Sequence, residues 1–128
     1  TDYFTEDCIF RVGETDWPGH AGLRDHYAED ARAVLEYYEG GVRTVRHGLL
    51  NCRIQVQDTS SASVDLIFLN FSAGGKTPFT NSSAPTVVAD TRLECVCDAQ
   101  GQWRIREFHA TPLFFGEDPY LNTVLAKM

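Results

Sequence analysis

Residues 87–114, VVADTRLECVCDAQGQWRIREFHATPLF, form two runs of strand-forming residues joined by a short turn sequence. Valine, threonine and aromatic side chains favour extended backbone, and the stretch DAQG at 98–101 has the composition of a hairpin turn. The segment therefore predicts a long antiparallel hairpin. Such a hairpin commits the chain to a fold built around a sheet, because an isolated two-stranded hairpin is marginally stable in water.

The register of this hairpin depends on the length of its loop. With a loop of two or four residues, Arg92 lies opposite Glu107 and Asp90 lies opposite His109, all on one face. Because the same face carries large apolar side chains near the turn, we expect it to point inward, with the four ionisable groups at the open end of the core. These apolar residues are Val96, Trp103 and Ile105.

The four ionisable residues have two interpretations. An Asp90–His109 pair is a sensible general base, because a carboxylate fixes the tautomer of an imidazole and stabilises its charged form. Arg92, oriented by Glu107, would then hold a carboxylate or polarise a carbonyl. The alternative is a solvated sheet face with ordinary cross-strand salt bridges. The sequence leaves both interpretations open.

The order of the elements indicates an α+β fold in a single domain spanning 1–128. Apolar residues at spacings of three and four predict a helix from Ala21 to Glu39, which Gly40 and Gly41 end. A polar loop is expected at 13–20, a longer one at 73–85, and a short helix or arm at 116–128. Strands are predicted at 5–14, 42–58 and 64–72, ahead of the hairpin, with 64–72 central in the sheet.

Composition excludes several classes of function. A net charge of −7 argues against a nucleic-acid partner and against binding to anionic lipid. No apolar run is long enough to span a membrane, and no signal peptide is apparent, so we expect a cytoplasmic protein with reduced thiols. The spacing of the four cysteines fits no zinc motif, and there is no glycine-rich phosphate loop. We expect neither a metal nor a cofactor.

Four stretches in order, DYFTEDCIFRVGE, WPGHAGLRDHY, VRHGLLNCRIQV and DAQGQWRI, resemble the SnoaL-like branch of the NTF2-like superfamily. The resemblance covers nearly the whole chain. It implies a cone fold, in which a strongly curved, mixed and mainly antiparallel sheet wraps on helices and leaves a pocket at its open end. It also implies a long helix before Thr1, which this sequence does not show. Members include dehydratases, polyketide cyclases, ketosteroid isomerases and epoxide hydrolases, as well as non-catalytic dioxygenase β subunits.

The resemblance also suggests which residues line the pocket. His47 matches the strand histidine of scytalone dehydratase-like members, and Asp90 and Arg92 fall where small polar pocket residues stand. Phe68 occupies about the place of the second catalytic histidine of those members, which puts a dehydratase of that type in doubt. Further candidates for substrate contact, each with an alternative role in the core or on the surface, are Tyr3, Trp17, His20, Asn51, Phe68 and Glu107.

The expected function is the binding of a compact, apolar, oxygenated small molecule. If the protein is an enzyme, we expect cofactor-free proton transfer, with His109 as the base, assisted by Asp90, His47 as a second acid–base group, and Arg92 at the developing oxyanion. The alternative is a non-catalytic ligand-binding module or structural subunit. Because sheet-to-sheet dimers are common in the superfamily, we expect a homodimer through the outer sheet face. That face is predicted to carry Thr91, Leu93, Cys95, Arg104 and Arg106.

Overall fold

The computed structural model describes residues 1–80 and 83–118, so most of the predicted arm at 116–128 lies outside the described residues. Its regular elements, numbered in chain order, are one α-helix, one 3₁₀ turn and six strands. They are β1 (Phe4–Val12), β2 (Thr15–Pro18), α1 (Gly19–Tyr37), the 3₁₀ turn (Glu39–Gly41), β3 (Arg43–Val56), β4 (Ser61–Gly74), β5 (Val87–Cys97) and β6 (Trp103–Phe115).

All six strands belong to one sheet in the order β2-β1-β6-β5-β4-β3. The pair β1–β6 is parallel and the other four pairs are antiparallel, so the sheet is mixed and mainly antiparallel, as predicted. Shifts of register interrupt the pairs β1–β6, β3–β4 and β5–β6. Because each bulge bends its strand and increases the local twist, these shifts account for a curved sheet.

The segment predicted as a loop at 13–20 contains β2 instead. Gly13 takes a positive φ of 59°, which allows the tight turn that folds β2 back on β1. The helix then begins at Gly19, two residues before the predicted Ala21, and ends at Tyr37. Tyr38 is extended, with φ −114° and ψ 129°, so α1 ends before the predicted Glu39. Gly40 and Gly41, with positive φ angles of 68° and 62°, lie in the 3₁₀ turn that follows.

Helix α1 packs mainly on β1 and β2, and the sheet face that it covers is called the inner face. Its core contacts centre on Leu23, Cys8 and Phe10, all buried. The ring of His26 lies between Phe10 and Trp17, with centroid distances of 4.9 and 4.5 Å. The face of the helix that packs on the sheet therefore includes a histidine.

The predicted register of the hairpin is wrong. The carboxylate of Asp98 accepts hydrogen bonds of 2.9 Å from the backbone N–H groups of both Gln100 and Gln102, which holds a five-residue loop. Cys97 therefore pairs with Trp103 rather than with Gln102. A second shift occurs between Glu94 and Cys95. As a result, Arg92 lies opposite His109, Asp90 opposite Thr111, and Glu94 opposite Glu107.

The predicted direction of that face is also wrong. The two shifts together keep Asp90, Arg92, Glu107 and His109 on one face, but these residues are all exposed. The residues that alternate with them along each strand are buried or half-buried, so those residues form the inner face. Thr91 is 3% exposed, which excludes it from the predicted dimer surface. Other inner-face residues of this hairpin are Val87, Ala89, Leu93, Phe108 and Ala110.

The first shift explains why the apolar residues gave a false signal. It moves Trp103 opposite Cys97 and Ile105 opposite Cys95, and therefore off the face that carries Val96. Trp103 is 47% exposed rather than buried. The apolar residues near the turn therefore do not indicate which sheet face carries the charged residues at the other end of the hairpin.

A bulge in β3 separates two residues that a regular strand would place together. His47 pairs with Asn70 before the bulge, which lies between Leu50 and Arg53, and Asn51 within it has a positive φ of 52°. Asparagine tolerates this left-handed conformation better than most residues. His47 therefore contacts the inner-face residue Phe68, while Asn51 lines a groove on the outer face.

The inner face of β3, at the far edge of the sheet from α1, carries large exposed apolar side chains. Leu49, Ile54 and Val56 are 57%, 66% and 68% exposed. They continue the inner face beyond Phe68, with which Leu49 pairs across the strands.

No helix in the described part of the chain is long and apolar enough to cross a membrane.

Candidate functional site

His47 stands at the open, apolar part of the inner face. Its ring lies against Phe68, with a centroid distance of 4.8 Å and an interplanar angle of 50°. Desolvation lowers the pKa of His47, and the positive charge of Arg43 lowers it further, although a hydrogen bond to the side chain of Asn70 and the charge of Asp30 oppose this. The imidazole is therefore neutral at pH 7 and can accept a proton.

A buried polar network begins beside His47. The side-chain amide of Asn70 donates a hydrogen bond of 2.7 Å to Thr86 Oγ1, and the Thr86 hydroxyl donates one of 3.1 Å to the main-chain oxygen of Asn70. Ser72 Oγ lies 3.2 Å from Thr86 Oγ1 and donates a hydrogen bond to Asp118. All four side chains are buried, so the network satisfies groups that would otherwise be costly to desolvate.

The network continues to the end of α1. Tyr38 donates a hydrogen bond of 2.6 Å to Asp118, and burial followed by this hydrogen bond raises the pKa of Tyr38 well above its ordinary value. A Cβ at residue 74 would lie 2.7 Å from the Tyr38 ring. The ring fits here because residue 74 is glycine. The phenol therefore stays neutral and commits its proton to Asp118.

Arg43 supplies the positive charge beside this carboxylate. Its side chain is only 7% exposed, and its Nη1 lies 3.0 Å from Asp30 Oδ1 while its Nη2 lies 4.0 Å from Asp118 Oδ2. The guanidinium carbon is 5.5 Å from the centroid of the Tyr38 ring. Because a buried charge must be paired, the two carboxylates and the aromatic ring together make its burial tolerable.

Sequence reasoning missed this network, although one signal was present. Asn70 and Ser72 alternate in VDLIFLNFS, the most apolar strand of the chain, at positions that share a face with Phe68. Polar residues at one end of a buried strand indicate either a hydrogen-bonded network or a site. Tyr38 falls within the predicted helix and Asp118 within the predicted arm at 116–128, so neither was singled out.

A second site is a groove of about 350 Å³ on the outer face. It brings together four predicted site residues, Asn51, Asp90, Arg92 and His109. The predicted Asp90–His109 pair is not formed across the strands, because each faces another residue. Arg92 instead makes ion pairs of 3.0 Å with Asp65 and 2.8 Å with Glu94, all at the surface.

The remaining predicted site residues are dispersed. Tyr3 is 80% exposed, Glu107 is exposed on the outer face, and Trp17 packs on Phe10. His20 Nε2 lies 3.0 Å from the carbonyl oxygen of Phe4, and His20 lines a shallow cleft of about 460 Å³. The other lining residues of that cleft are Asp2, Thr5, Glu6 and Arg104.

In the described part of the chain the cysteines are unpaired and no set of metal ligands is grouped. Residues 1–80 and 83–118 contain no group of three or more histidine, cysteine, aspartate or glutamate side chains arranged to hold a metal ion. Cys8, Cys52, Cys95 and Cys97 are free thiols, of which Cys8 is buried and Cys52 is exposed. Burial and a neighbouring carboxylate raise the pKa of both Cys8 and Cys95, which makes these thiols poor nucleophiles.

Comparisons with known proteins agree with this architecture. A family model described as "SnoaL-like domain" matches residues 1–109. No curated protein matches the chain. A structure from Catenulispora acidiphila in complex with S-DNPA is similar at 18% identity, with a TM-score of 0.66, 98% of this chain and 78% of that chain covered.

Two further solved structures share the fold. An NTF2-like protein with a cystatin-like fold from Novosphingobium aromaticivorans is 16% identical, with a TM-score of 0.66, 93% of this chain and 70% of that chain covered. The β subunit of benzoate 1,2-dioxygenase from Burkholderia mallei is 12% identical, with a TM-score of 0.66, 88% of this chain and 74% of that chain covered. At these identities the likeness shows the fold alone, and it confirms the predicted NTF2-like cone.

Proposed function

The chain belongs to the SnoaL-like domain family, and we propose that it binds a compact, apolar, oxygenated molecule on the inner face beside His47. The observation that supports this proposal is the placement of a neutral histidine against Phe68, at the boundary between exposed apolar strand residues and a buried polar network. Ligand sites typically combine apolar walls with a few oriented polar groups. Leu49 and Phe68 would supply the wall here.

The chemistry that fits this arrangement is cofactor-free proton transfer. A neutral imidazole in a partly desolvated position accepts a proton from a carbon or hydroxyl group and returns it to a neighbouring atom of the same substrate. Dehydration, isomerisation and aldol cyclisation proceed in this way. In epoxide opening the base instead takes the proton from the attacking water, and the ring oxygen that is released takes up a proton. Tyr38 is not available as a donor to substrate oxygen, because its proton is already donated to Asp118.

We propose a second role for the outer groove, as the surface through which two copies of the chain associate. The groove mixes charges of both signs, with Arg53 and Arg92 near Asp65 and Asp90. Such a surface can pair with itself across a two-fold axis, because each cation can face a carboxylate of the other copy. The catalytic roles predicted for Asp90, Arg92 and His109 stay predictions, and they require this same surface to be open to substrate.

A non-catalytic ligand-binding module is the alternative function. It predicts binding on the same inner face without turnover, and it is favoured by the small number of polar groups at the apolar end of that face. Both functions are tested by NMR titration with a cyclic enone, an epoxide and a hydroxy-ketone as probes. Shifts confined to the signals of His47, Phe68 and Leu49 support the proposed site. Shifts centred on His109 and Arg92 instead would overturn it.

A further inference from the structure

We propose that Asn70 and Thr86 are positioning residues that hold the imidazole of His47 in one tautomer, with its proton on the ring nitrogen nearest Asn70. The other ring nitrogen then carries the lone pair that accepts a proton from substrate. This inference deepens the proposed function, since it concerns the same histidine and rests on its role as the base. It begins from the pairing of His47 with Asn70 across β3 and β4.

Thr86 determines which end of the Asn70 amide faces the histidine. Its backbone N–H donates a hydrogen bond of 2.7 Å to the main-chain oxygen of Asn70, and its hydroxyl donates to the same oxygen at 3.1 Å. The hydroxyl has a single proton, so only its lone pairs remain for the side-chain amide. That amide accordingly presents its N–H₂ group to Thr86, at 2.7 Å.

Ser72 and Asp118 make this arrangement robust. Ser72 donates its own proton to Asp118, so the oxygen of Ser72 can accept the Thr86 proton across their 3.2 Å contact. The Thr86 proton can therefore turn towards Ser72 or towards the Asn70 main chain. In both cases it points away from the Asn70 amide nitrogen, so the amide keeps its orientation. The amide oxygen is left for the N–H group of His47.

A fixed tautomer matters for a base of this kind. A free neutral imidazole interconverts between two tautomers, so a given nitrogen carries the lone pair for only part of the time. A hydrogen bond from the ring N–H of His47 to the Asn70 amide oxygen would fix that choice. Because the charged ring is the stronger donor, such a bond stabilises the charged form and opposes the lowering of the His47 pKa. Thr86 acts through Asn70 and does not need to touch the substrate.

The test uses the full chain labelled with ¹⁵N in histidine, and NMR of the ring nitrogens reads both the tautomer and the pKa of His47. In the wild type we expect one tautomer and a ring N–H protected from exchange with water. Asn70→Leu and Thr86→Val should both give a tautomer mixture, faster exchange of the ring N–H and a lower pKa of His47. Thr86→Ser keeps the hydroxyl group and should retain the wild-type spectrum. Thr111→Val, on the exposed face of β6, should also leave the spectrum unchanged.

Two results would overturn the inference. One is a wild-type His47 that shows the tautomer mixture of a free imidazole, a result that needs no variant to fold. The other is an unchanged His47 tautomer and pKa in both folded variants. Neither readout involves turnover, so a fixed tautomer in a protein without activity would refute the proposed catalysis while leaving the positioning role intact. Activity without a fixed tautomer would refute the positioning role and leave the proposed catalysis intact.

Discussion

Tyr38 donates a hydrogen bond of 2.6 Å to Asp118, 80 residues further along the chain. The bond joins the end of α1 to the segment that follows β6, and Ser72 extends it to β4. Both side chains are buried, at 6% and 2% exposure. The Asp118 carboxylate therefore connects three separate parts of the chain through hydrogen bonds, and these bonds hold the polar network together.

Removal of this hydrogen bond should destabilise the fold. Tyr38→Phe keeps the ring over Gly74 but leaves Asp118 with one donor fewer, so we expect the free energy of unfolding to fall by about 1.5–3 kcal/mol, the range for bonds to charged groups. Urea unfolding measures this change. Tyr27→Phe, at a side chain that is 59% exposed, is the matched control and should change stability by less than about 0.5 kcal/mol.

Stability should fall as the solution becomes acidic. Burial lowers the pKa of His26 and desolvation lowers that of His47, so the unfolded chain binds more protons than the folded one below the unfolded pKa of about 6.5. The contribution of both histidines is therefore complete above about pH 6.5 and is lost as pH falls towards their folded pKa values. Unfolding curves between pH 5 and 7.5 should show this slope. His26→Gln should flatten the slope, whereas equal slopes in the variant and the wild type would contradict the account.

The outer groove should control association of the chain with itself. Arg92 makes ion pairs with Asp65 and Glu94 at the surface, so Arg92→Glu would place three carboxylates side by side at this surface. Two such surfaces would repel each other. We expect a dimer for the wild type in sedimentation at micromolar concentration and a monomer for Arg92→Glu. Arg24→Glu on α1 is the control for a change of net charge and should remain dimeric. A monomeric wild type would contradict the proposed interface.

The bulge in β3 should tolerate glycine better than a branched residue at its centre. Asn51 has a φ of 52°, so Asn51→Gly should be close to neutral, whereas Asn51→Val should cost about 1–3 kcal/mol because β-branched residues avoid this conformation. Thermal unfolding of the two variants compares them directly. An equal stability of the two would mean that residue 51 is extended and that no bulge turns it away from His47.

The elements with strong local signals were predictable from the sequence. The helix ends close to the two glycines that were predicted to stop it, although Tyr38 is the first extended residue, and the hairpin over 87–114 forms because its residues favour strands. The resemblance placed His47 in the pocket. The structure places its ring against Phe68 on the inner face, and its role there stays a prediction. In each case a few neighbouring residues are sufficient to determine the outcome.

Register and long-range contacts were not predictable in the same way. The two hydrogen bonds from Gln100 and Gln102 to Asp98 lengthen the loop by one residue, and the bulge at Glu94 adds a second shift. No alternation pattern distinguishes such a loop from a shorter one, although each one-residue shift reverses a face. Asp118 joins Tyr38 only through the tertiary fold, and nothing in the residues around it indicates a buried partner.

The most direct test of the proposed site compares two histidines on opposite faces of the sheet. His47 lies on the inner face and His109 on the outer face, so His47→Gln and His109→Gln separate the two sites in one assay. With a panel of enones, epoxides and hydroxy-ketones, we expect His47→Gln to lower kcat/KM by about 100-fold or more, and His109→Gln to leave it within about threefold of the wild type. A loss of activity in His109→Gln with full activity in His47→Gln would contradict the inner-face site and return the chemistry to the outer groove.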